Sequence, residues 1–296
     1  MFGPIFALIA AASYASNTVL VRRAVLRIPD ANLGILISVP MAVPLFFLIL
    51  VFSGRAGSIL EFSWPAYAWL SLAGIFHFVV GRSLYYECVQ LVGANIAGIL
   101  RRTNILVAVG VGVAVLKEPL GWELILGVGL IVTGITLAGF SPHAFKAAGG
   151  GFSKIPLKAL VLGFGCGISW GISPIFVKLG LQGTRSPFAG AFISFLAATV
   201  ILIFSLINRR RRASFAHIGS KAALLFFTAG LLSFAANLAR YVALSLAPAS
   251  VVTPLVSIEP VLVMILSFIF NRRLEIFSRQ VLIGTATVVV GTIILI

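Results

Sequence analysis

The sequence has few charged residues and few of the residues that carry metal or redox chemistry. Only 10% of its 296 residues are charged and 60% are hydrophobic, whereas water-soluble domains carry about 25% charged residues. A soluble fold is therefore excluded, and the composition predicts a chain that lies mostly in a membrane. The two cysteines, Cys88 and Cys166, sit inside apolar runs, which excludes a disulfide framework and a cysteine-based zinc site.

Acidic residues are scarcer than basic ones. The chain has 7 Asp and Glu against 22 Lys and Arg, a formal net charge of +15. In a soluble protein this balance would indicate nucleic acid. Here the basic residues gather in short hydrophilic connections, above all Arg209-Arg210-Arg211-Arg212, and such loops anchor helix bundles at the cytoplasmic face. The sequence thus favours the lipid bilayer, and not nucleic acid, as the partner of these residues.

Apolar runs of about 17 to 25 residues predict ten transmembrane helices, here called spans one to ten. They cover residues 3–22, 32–53, 65–91, 95–116, 121–140, 157–179, 187–207, 219–246, 249–270 and 279–296. The glycine-rich, basic connection at residues 141–156 divides the chain nearly in half. We therefore expect an all-α polytopic membrane protein with a five-helix repeat at residues 1–140, a linker at 141–156 and a second five-helix repeat at 157–296.

The two halves resemble each other in sequence. Residues 13–17 align with residues 169–173, and residues 86–93 align with residues 241–248, each of the latter pair ending a helix before a tight turn. A further match joins an acidic residue and two glycines in each half, namely Glu118, Gly127 and Gly134 with Glu275, Gly284 and Gly291. Because each half has an odd number of spans, the second half enters the bilayer from the opposite side. Such inverted repeats are typical of secondary transporters.

These features together resemble the EamA-type branch of the drug/metabolite transporter superfamily. The resemblance rests on the five-plus-five spans, the aromatic and small polar residues early in spans one and six, and the segment Leu116-Lys117-Glu118-Pro119-Leu120, echoed by Arg273-Leu274-Glu275. It implies a small-molecule carrier, commonly an exporter of metabolites. It also implies a central cavity lined by spans one to four and six to nine.

Charged residues inside the predicted spans point to a polar interior. They are Arg82, Glu87, Arg101, Arg102, Arg240 and Glu259. Four of these residues lie roughly 12 to 16 Å from their nearest turns, at about 1.5 Å of rise per residue. They are Arg82, Arg101, Arg240 and Glu259, and this depth places all four near the middle of the bilayer. Charges at this depth face a hydrated cavity or one another. Four positive and two negative charges leave a net charge of +2, which favours an anionic or zwitterionic substrate.

Two interpretations remain for the acidic residues. Glu259 either pairs with Arg101 or Arg102 and holds span nine against span four, or takes part in proton coupling or substrate binding. Glu87 is a candidate partner for Arg82 or Arg240. The near-terminal Glu118 and Glu275 are interpreted as interfacial partners of Lys117 and Arg273.

Aromatic and small polar residues complete the predicted substrate site. Tyr14 and Trp170 lie at equivalent depths, with Asn17 and Ser173 one turn further on, and such combinations suit organic substrates. Four more residues share the helix faces of Arg82 and Arg240: Tyr85, Tyr86, Asn237 and Tyr241. On span six, Gly163, Gly167 and Gly171 form a stripe that predicts close approach of a neighbouring helix.

The resulting hypothesis is a multi-pass carrier of the bacterial or archaeal inner membrane that moves a small polar or amphipathic metabolite by alternating access. We expect no cofactor, no metal and no covalent chemistry. An integral membrane enzyme acting on a lipid-linked substrate is the rival, but His77, His143 and His217 are far apart and no nucleophile-elbow pattern occurs. A non-transporting structural bundle is a third alternative. A homodimer through the charge-free outer helices is compatible with the sequence but not required by it.

The sequence gives two answers for the orientation of the termini. Most basic connection residues follow spans one, five, seven and nine, and the positive-inside rule then places both termini outside. The family resemblance implies cytoplasmic termini.

Overall fold

The computed structural model describes residues 2–25, 31–139, 156–183, 186–259, 261–262, 266 and 279–295. In these residues the regular structure is helical. The α-helices, numbered here in chain order, are α1 Phe2–Val25, α2 Ile35–Ser38, α3 Ala42–Phe52, α4 Trp64–Gly74, α5 Arg82–Leu100, α6 Thr103–Leu116, α7 Trp122–Gly139, α8 Leu157–Leu181, α9 Pro187–Phe204, α10 Arg209–Ala216, α11 Ser220–Leu246, α12 Ala249–Val256 and α13 Arg279–Leu295. Short 3₁₀ turns cover Ala31–Gly34, Ala56–Glu61 and Ser205–Ile207, and a π-helical segment covers Ile75–Gly81.

Most of the predicted spans correspond to apolar helices in the described residues. Six stretches are long and apolar enough to cross a membrane: Phe2–Val21, Asn32–Phe52, Trp64–Cys88, Leu157–Leu181, Pro187–Ile207 and Ser220–Leu246. Shorter apolar helices occur at Thr103–Leu116, Trp122–Gly134 and Ala286–Leu295. Much of predicted span nine lies outside the described residues. The all-helical membrane fold is thus confirmed, whereas the number of ten spans stays a prediction.

Matched glycines join the last described helices of the two halves, α7 and α13. A Cβ atom added to Gly127 would lie 3.1 Å from the carbonyl oxygen of Gly291, and one added to Gly134 would lie 2.5 Å from that of Gly284. The order of these contacts makes α7 and α13 antiparallel. Because α7 and α13 carry the matched glycines of the two halves, these corresponding helices run in opposite directions, as an inverted repeat requires.

The glycine stripe of α8 lies against α6. A Cβ atom on Gly163 would lie 2.5 Å from Leu100 Cβ, and one on Gly171 would lie 2.8 Å from the Asn104 carbonyl oxygen. Gly167 likewise faces Thr103. The predicted close helix approach is therefore confirmed, and it brings the start of α6 beside the middle of α8.

The predicted break between spans three and four is displaced. The helix does not end near Gly93: α5 continues to Leu100, and the break falls at Arg101 and Arg102. Proline accounts for the difference between the halves, because Pro248 lacks an N–H and ends the helix at the corresponding turn, whereas Gly93 keeps its helical hydrogen bond. The chain nevertheless reverses along α8. Leu84 lies near Gly165 and Cys88 near Ala159, so α5 begins antiparallel to α8, whereas Leu100 lies near Gly163 and Thr103 near Gly167, so the start of α6 runs parallel to it.

Phenylalanine rings from several helices form the core beside the polar interior. The ring of Phe195 on α9 lies 4.1 Å from that of Phe78 and 5.3 Å from that of Phe46, centroid to centroid. Phe46 also contacts Phe234 of α11 edge-on at 4.6 Å. These contacts fix α3, α9 and α11 around the π-helical segment, which carries the first part of the site.

Candidate functional site

The π-helical segment binds α8 through its backbone. The Ser169 hydroxyl donates to the Phe76 carbonyl oxygen at 2.7 Å, and Trp170 Nε1 donates to the His77 carbonyl oxygen at 2.9 Å. A π-helical turn disturbs the regular helical hydrogen-bond ladder, so its carbonyls can accept side-chain donors. Gly81 faces the indole directly and leaves room for it. The segment therefore fixes the position of Trp170 in the interior.

An ion pair connects the two halves near the break between α5 and α6. Arg101 Nη2 lies 3.1 Å from Glu259 Oε2, and the Thr18 hydroxyl donates to Glu259 Oε1 at 2.6 Å. Arg101 is buried, with 7% of its surface exposed. One carboxylate thus joins α1 and the start of α6 to the segment that follows α12, and its charge compensates that of Arg101.

Two aromatic rings flank the Arg101 guanidinium. Its Cζ atom lies 5.3 Å from the ring centroid of Tyr85 and 5.3 Å from that of Trp170. The two rings lie 5.4 Å apart, and the His77 ring stacks on Trp170 at 5.6 Å. Cation–π contacts of this kind stabilise a desolvated guanidinium. Trp170 therefore contacts the Arg101 guanidinium on one side and the His77 ring on the other.

Arg102 and Asn104 bind the end of α12. Arg102 Nη1 donates to the Ser257 carbonyl oxygen at 2.9 Å, and Asn104 Nδ2 donates to the Ser257 hydroxyl at 3.3 Å. Arg102 has no carboxylate partner in the described residues. Its positive charge is therefore compensated only by backbone and by the nearby Glu259.

In the described residues, Arg82 and Arg240 donate to hydroxyl groups. Arg82 Nη1 and Nη2 lie 3.4 Å from the Ser38 hydroxyl and 3.3 Å from the Ser233 hydroxyl. Arg240 Nη2 donates to the Ser173 hydroxyl at 3.3 Å, while its Nη1 is buried without a partner in the described residues. Arg240 is only 4% exposed. Neither guanidinium group therefore has a carboxylate partner in the described part of the chain.

Tyr14 and Asn237 lie beside this pair of arginines. The Tyr14 hydroxyl, close to Arg240, donates to Asn237 Oδ1 at 2.7 Å. Asn237 Nδ2 in turn donates to the Ser233 carbonyl oxygen at 2.8 Å. We call the interior that contains Arg82, Arg240, Tyr14, His77 and Trp170 the arginine chamber.

Four predicted site residues have other surroundings. Asn17 donates to the Ala229 carbonyl oxygen and so holds α1 against α11. Tyr241 is 1% exposed and belongs to the hydrophobic core, while Tyr86 packs against that core and against Tyr85. Glu87 forms no ion pair with Arg82 or Arg240 in the described residues. Their sequence positions gave the right helices but not the direction of each side chain.

Several polar partners in the interior were not predicted from the sequence to be site residues. They are Thr18, Ser38, Ser233, Ser257 and His77. Thr18 has a sequence signal, because it follows Tyr14 by four residues and shares its helix face. His77 Nδ1 is buried without a partner in the described residues, and its ring lies within electrostatic reach of both Arg82 and Arg240. The serines are single hydroxyls in apolar helices and carry no pattern of their own.

Glu118 has a different partner from the one predicted. Its Oε1 and Oε2 accept the backbone N–H groups of Ala249 and Ser250 at 2.7 and 2.9 Å. These are the first amides of α12, which lack helical acceptors. Glu118 therefore caps a helix of the opposite half and does not pair with Lys117. Glu275 and Arg273 lie outside the described residues.

In the described part of the chain, no group of three or more His, Cys, Asp or Glu side chains comes together as a metal site would require. The polar interior is built instead from guanidinium groups, hydroxyls and aromatic rings.

Comparison with known proteins identifies the family of the chain. The model of the EamA-like transporter family matches residues 1–140 and 157–296. The chain belongs to the EamA-like transporter family. Its members are membrane transporters of small molecules and not enzymes, and this chain is accordingly a multi-pass membrane protein.

A solved structure supports the fold. The structure titled "Crystal structure of protein" superposes with a TM-score of 0.74 at 15% identity, over 99% of this chain and 95% of the other. At this identity the likeness shows the fold alone. Among curated proteins, none matches the sequence.

Proposed function

We propose that this EamA-like transporter exports a small organic anion or zwitterion across the inner membrane by alternating access. The anionic group of the substrate binds to Arg82 and Arg240 in the arginine chamber. The observation that carries this proposal is the state of Arg240, which is 4% exposed, donates to one hydroxyl and leaves Nη1 without a partner in the described residues.

Two kinds of arginine lie in the interior. Arg101 has a carboxylate partner, Glu259, at 3.1 Å. In the described residues, Arg82 and Arg240 instead donate to serine hydroxyls, and a hydroxyl supplies no compensating charge. A buried charge without a counter-charge costs several kcal/mol. An anionic ligand removes that cost when it binds, which favours an anion over a neutral molecule of the same shape.

The surroundings of the two arginines suit an organic ligand. Tyr14, His77 and Trp170 offer ring surface next to a few hydrogen-bonding groups, and binding sites for small organic molecules combine these features. One face of Trp170 is covered by the Arg101 guanidinium, whereas Nδ1 of His77 has no hydrogen-bond partner among the described residues. We therefore place the organic part of the substrate beside His77 and Tyr14.

Glu259 is proposed as the coupling residue. It is the carboxylate that joins α1, α6 and the segment after α12. Protonation of Glu259 would remove its charge and weaken the contact with Arg101, so that the two halves could separate there. Inverted halves exchange inward-open and outward-open shapes around such a contact.

Flux measurements in proteoliposomes test the proposal. Purified protein is reconstituted and assayed with a panel of amino acids, carboxylates, nucleosides and sugar phosphates. We expect transport of at least one anionic or zwitterionic class and its loss in the Arg240→Gln variant, with Arg55→Gln at an exposed loop position as control. Transport confined to neutral nucleosides, or unchanged by Arg240→Gln, would reject the proposal.

A further inference from the structure

A polar cavity opens at the end of the molecule where α6, α8 and α11 finish. It has a volume of about 440 Å³ and lies between these helix ends and the turn before α12. Its polar lining consists of Lys117, Glu118, Lys178, Gln182 and Ser245. Cavities that bind small organic molecules have volumes of about 300 to 1,000 Å³. The cleft is therefore large enough to bind a metabolite, and we call it the vestibule.

The acidic residue of the vestibule, Glu118, already accepts hydrogen bonds from the protein itself. Both carboxylate oxygens of Glu118 accept amides of α12, those of Ala249 and Ser250. The positive end of the α12 dipole acts on the same carboxylate. Gly112 leaves the room for it, because a Cβ atom there would lie 2.6 Å from Glu118 Oε2. The amides and the dipole of α12 therefore stabilise the charge of Glu118, and the two lysines and one carboxylate leave the vestibule with a net charge of +1.

The basic residues of the vestibule keep donors for a ligand. Lys178 is half-buried, and its Nζ donates to the Ala247 carbonyl oxygen at 3.0 Å. An ammonium group has three N–H donors, so donors of Lys178 remain for an anion. Lys117 is exposed at the rim. Gln182 and Ser245 add neutral hydrogen-bonding groups. This combination matches a carboxylate or a phosphate.

The vestibule and the arginine chamber lie on the same two helices. Leu244 lines the vestibule and follows Arg240 by four residues on α11, which is one helical turn or about 6 Å. Lys178 follows Ser173 by five residues on α8, and Ser173 accepts the hydrogen bond of Arg240. Five residues span about 7.5 Å, so a solute bound at Lys178 lies roughly one and a half turns along α8 from the hydroxyl that binds Arg240.

We infer that the vestibule is a separate binding site for the carboxylate or phosphate group of a small solute, held by Lys178 at one mouth of the path to Arg240. This inference rests on the proposed function for the role of the site in transport. The existence of the site is independent of that function, because an anion binds to Lys178 whether or not it then moves inward.

Thiol chemistry at Ser245 tests the site without a known substrate. The Ser245→Cys variant is treated in detergent with an anionic sulfonatoethyl and a cationic trimethylammonioethyl methanethiosulfonate. The native Cys88 and Cys166 are fully buried, and the parent protein gives their background rate. We expect the anionic reagent to be favoured, and Lys178→Gln to lower the anionic-to-cationic rate ratio about fivefold at low salt. Lys221→Gln, an exposed lysine at the far end of α11, is the matched control and leaves the ratio unchanged.

Competition by inorganic phosphate identifies the ligand chemistry. Phosphate is expected to slow modification of the Ser245→Cys protein with saturation, and Lys178→Gln to abolish this protection. No protection, or equal protection in the Lys178→Gln protein, overturns the inference. Nanodiscs of phosphatidylcholine with and without phosphatidylglycerol distinguish a lipid headgroup from a free solute. Protection by phosphatidylglycerol but not by phosphate assigns the vestibule to lipid and also overturns it.

The same protein preparations separate this inference from the proposed function. Arg240→Gln is expected to leave phosphate protection unchanged, since Arg240 does not line the vestibule. Protection in a protein that transports no anion would support the vestibule and reject the proposed function. Anion transport without any protection at Ser245→Cys would support the function and reject the vestibule.

Discussion

Arg101 and Glu259, which belong to opposite halves of the chain, form an ion pair with 3.1 Å between Nη2 and Oε2. In the described residues no other salt bridge occurs. The pair gives a carboxylate partner to one of the four arginines that the sequence predicts within the membrane. Arg82 and Arg240 have no carboxylate partner in the described residues. The distribution of charge, more than any single motif, therefore points to an anionic substrate.

Glu259→Gln tests the coupling role of the ion pair. The amide keeps the size of the side chain and removes its charge and its titration, so we expect loss of proton-driven uptake with retention of counterflow exchange. Both are measured in proteoliposomes with and without a pH gradient. Glu87→Gln, which removes a carboxylate outside this contact, is the matched control and should keep proton dependence. An unaltered response of Glu259→Gln to the gradient rejects the coupling role.

Arg240→Lys and Arg240→Gln separate charge from geometry. A hydrogen bond to a charged group contributes about 1.5 to 3 kcal/mol, and about 1.4 kcal/mol corresponds to a factor of ten. We expect Arg240→Gln to raise the apparent Km for the anion roughly 10- to 100-fold, and Arg240→Lys to raise it less because the positive charge remains. Concentration-dependent uptake gives both values. Equal Km values for the three proteins would show that Arg240 does not bind substrate.

Gly171→Ala tests the close contact of α8 with α6. The new Cβ atom would lie 2.6 Å from Val107 Cβ and 2.8 Å from the Asn104 carbonyl oxygen, and backbone cannot yield as a flexible side chain does. We expect destabilisation by about 1 to 3 kcal/mol, seen as a lower thermal denaturation midpoint in detergent. Gly165→Ala on the same helix meets only Leu84 Cδ1 at 3.3 Å and should change the midpoint little. Equal midpoints for the two variants would contradict the packing.

Glu118→Ala tests the cap of α12. The substitution leaves the amides of Ala249 and Ser250 without their acceptor, and loss of a helix cap costs about 0.5 to 2 kcal/mol. We expect a lower thermal midpoint for Glu118→Ala and a smaller decrease for Glu118→Gln, which retains one acceptor oxygen. Glu123→Ala, an exposed acidic residue at the start of α7, is the control. A wild-type midpoint for Glu118→Ala would show that the cap contributes nothing.

The repeat and the positions of the arginines could be predicted from the sequence because they depend on spacing. Gly127 and Gly134 match Gly284 and Gly291 in spacing, and in the structure these residues contact one another across α7 and α13. The pairing of Glu259 with Arg101 was one of two interpretations, since unlike charges at one depth attract. Residue spacing therefore predicts a contact where the helical period or the attraction of opposite charges determines it.

Side-chain direction and local helix geometry could not be predicted from spacing. Asn17 follows Tyr14 by three residues, yet it packs on the backbone of α11, while Thr18 reaches Glu259. The π-helical turn at Ile75–Gly81 rotates every later residue of that span and places Arg82 toward Ser233. Glu118 reaches a helix 131 residues away in sequence. These features depend on tertiary packing, which overrides the local pattern.

Alternating access requires that the arginine chamber can be reached from each side of the membrane in turn. Ser233→Cys places a thiol beside Arg82, and an impermeant methanethiosulfonate is added to vesicles from either side during transport. The proposed function predicts modification from both sides and slowing of both reactions by a transported anion. Modification from one side alone, or from neither, would contradict it.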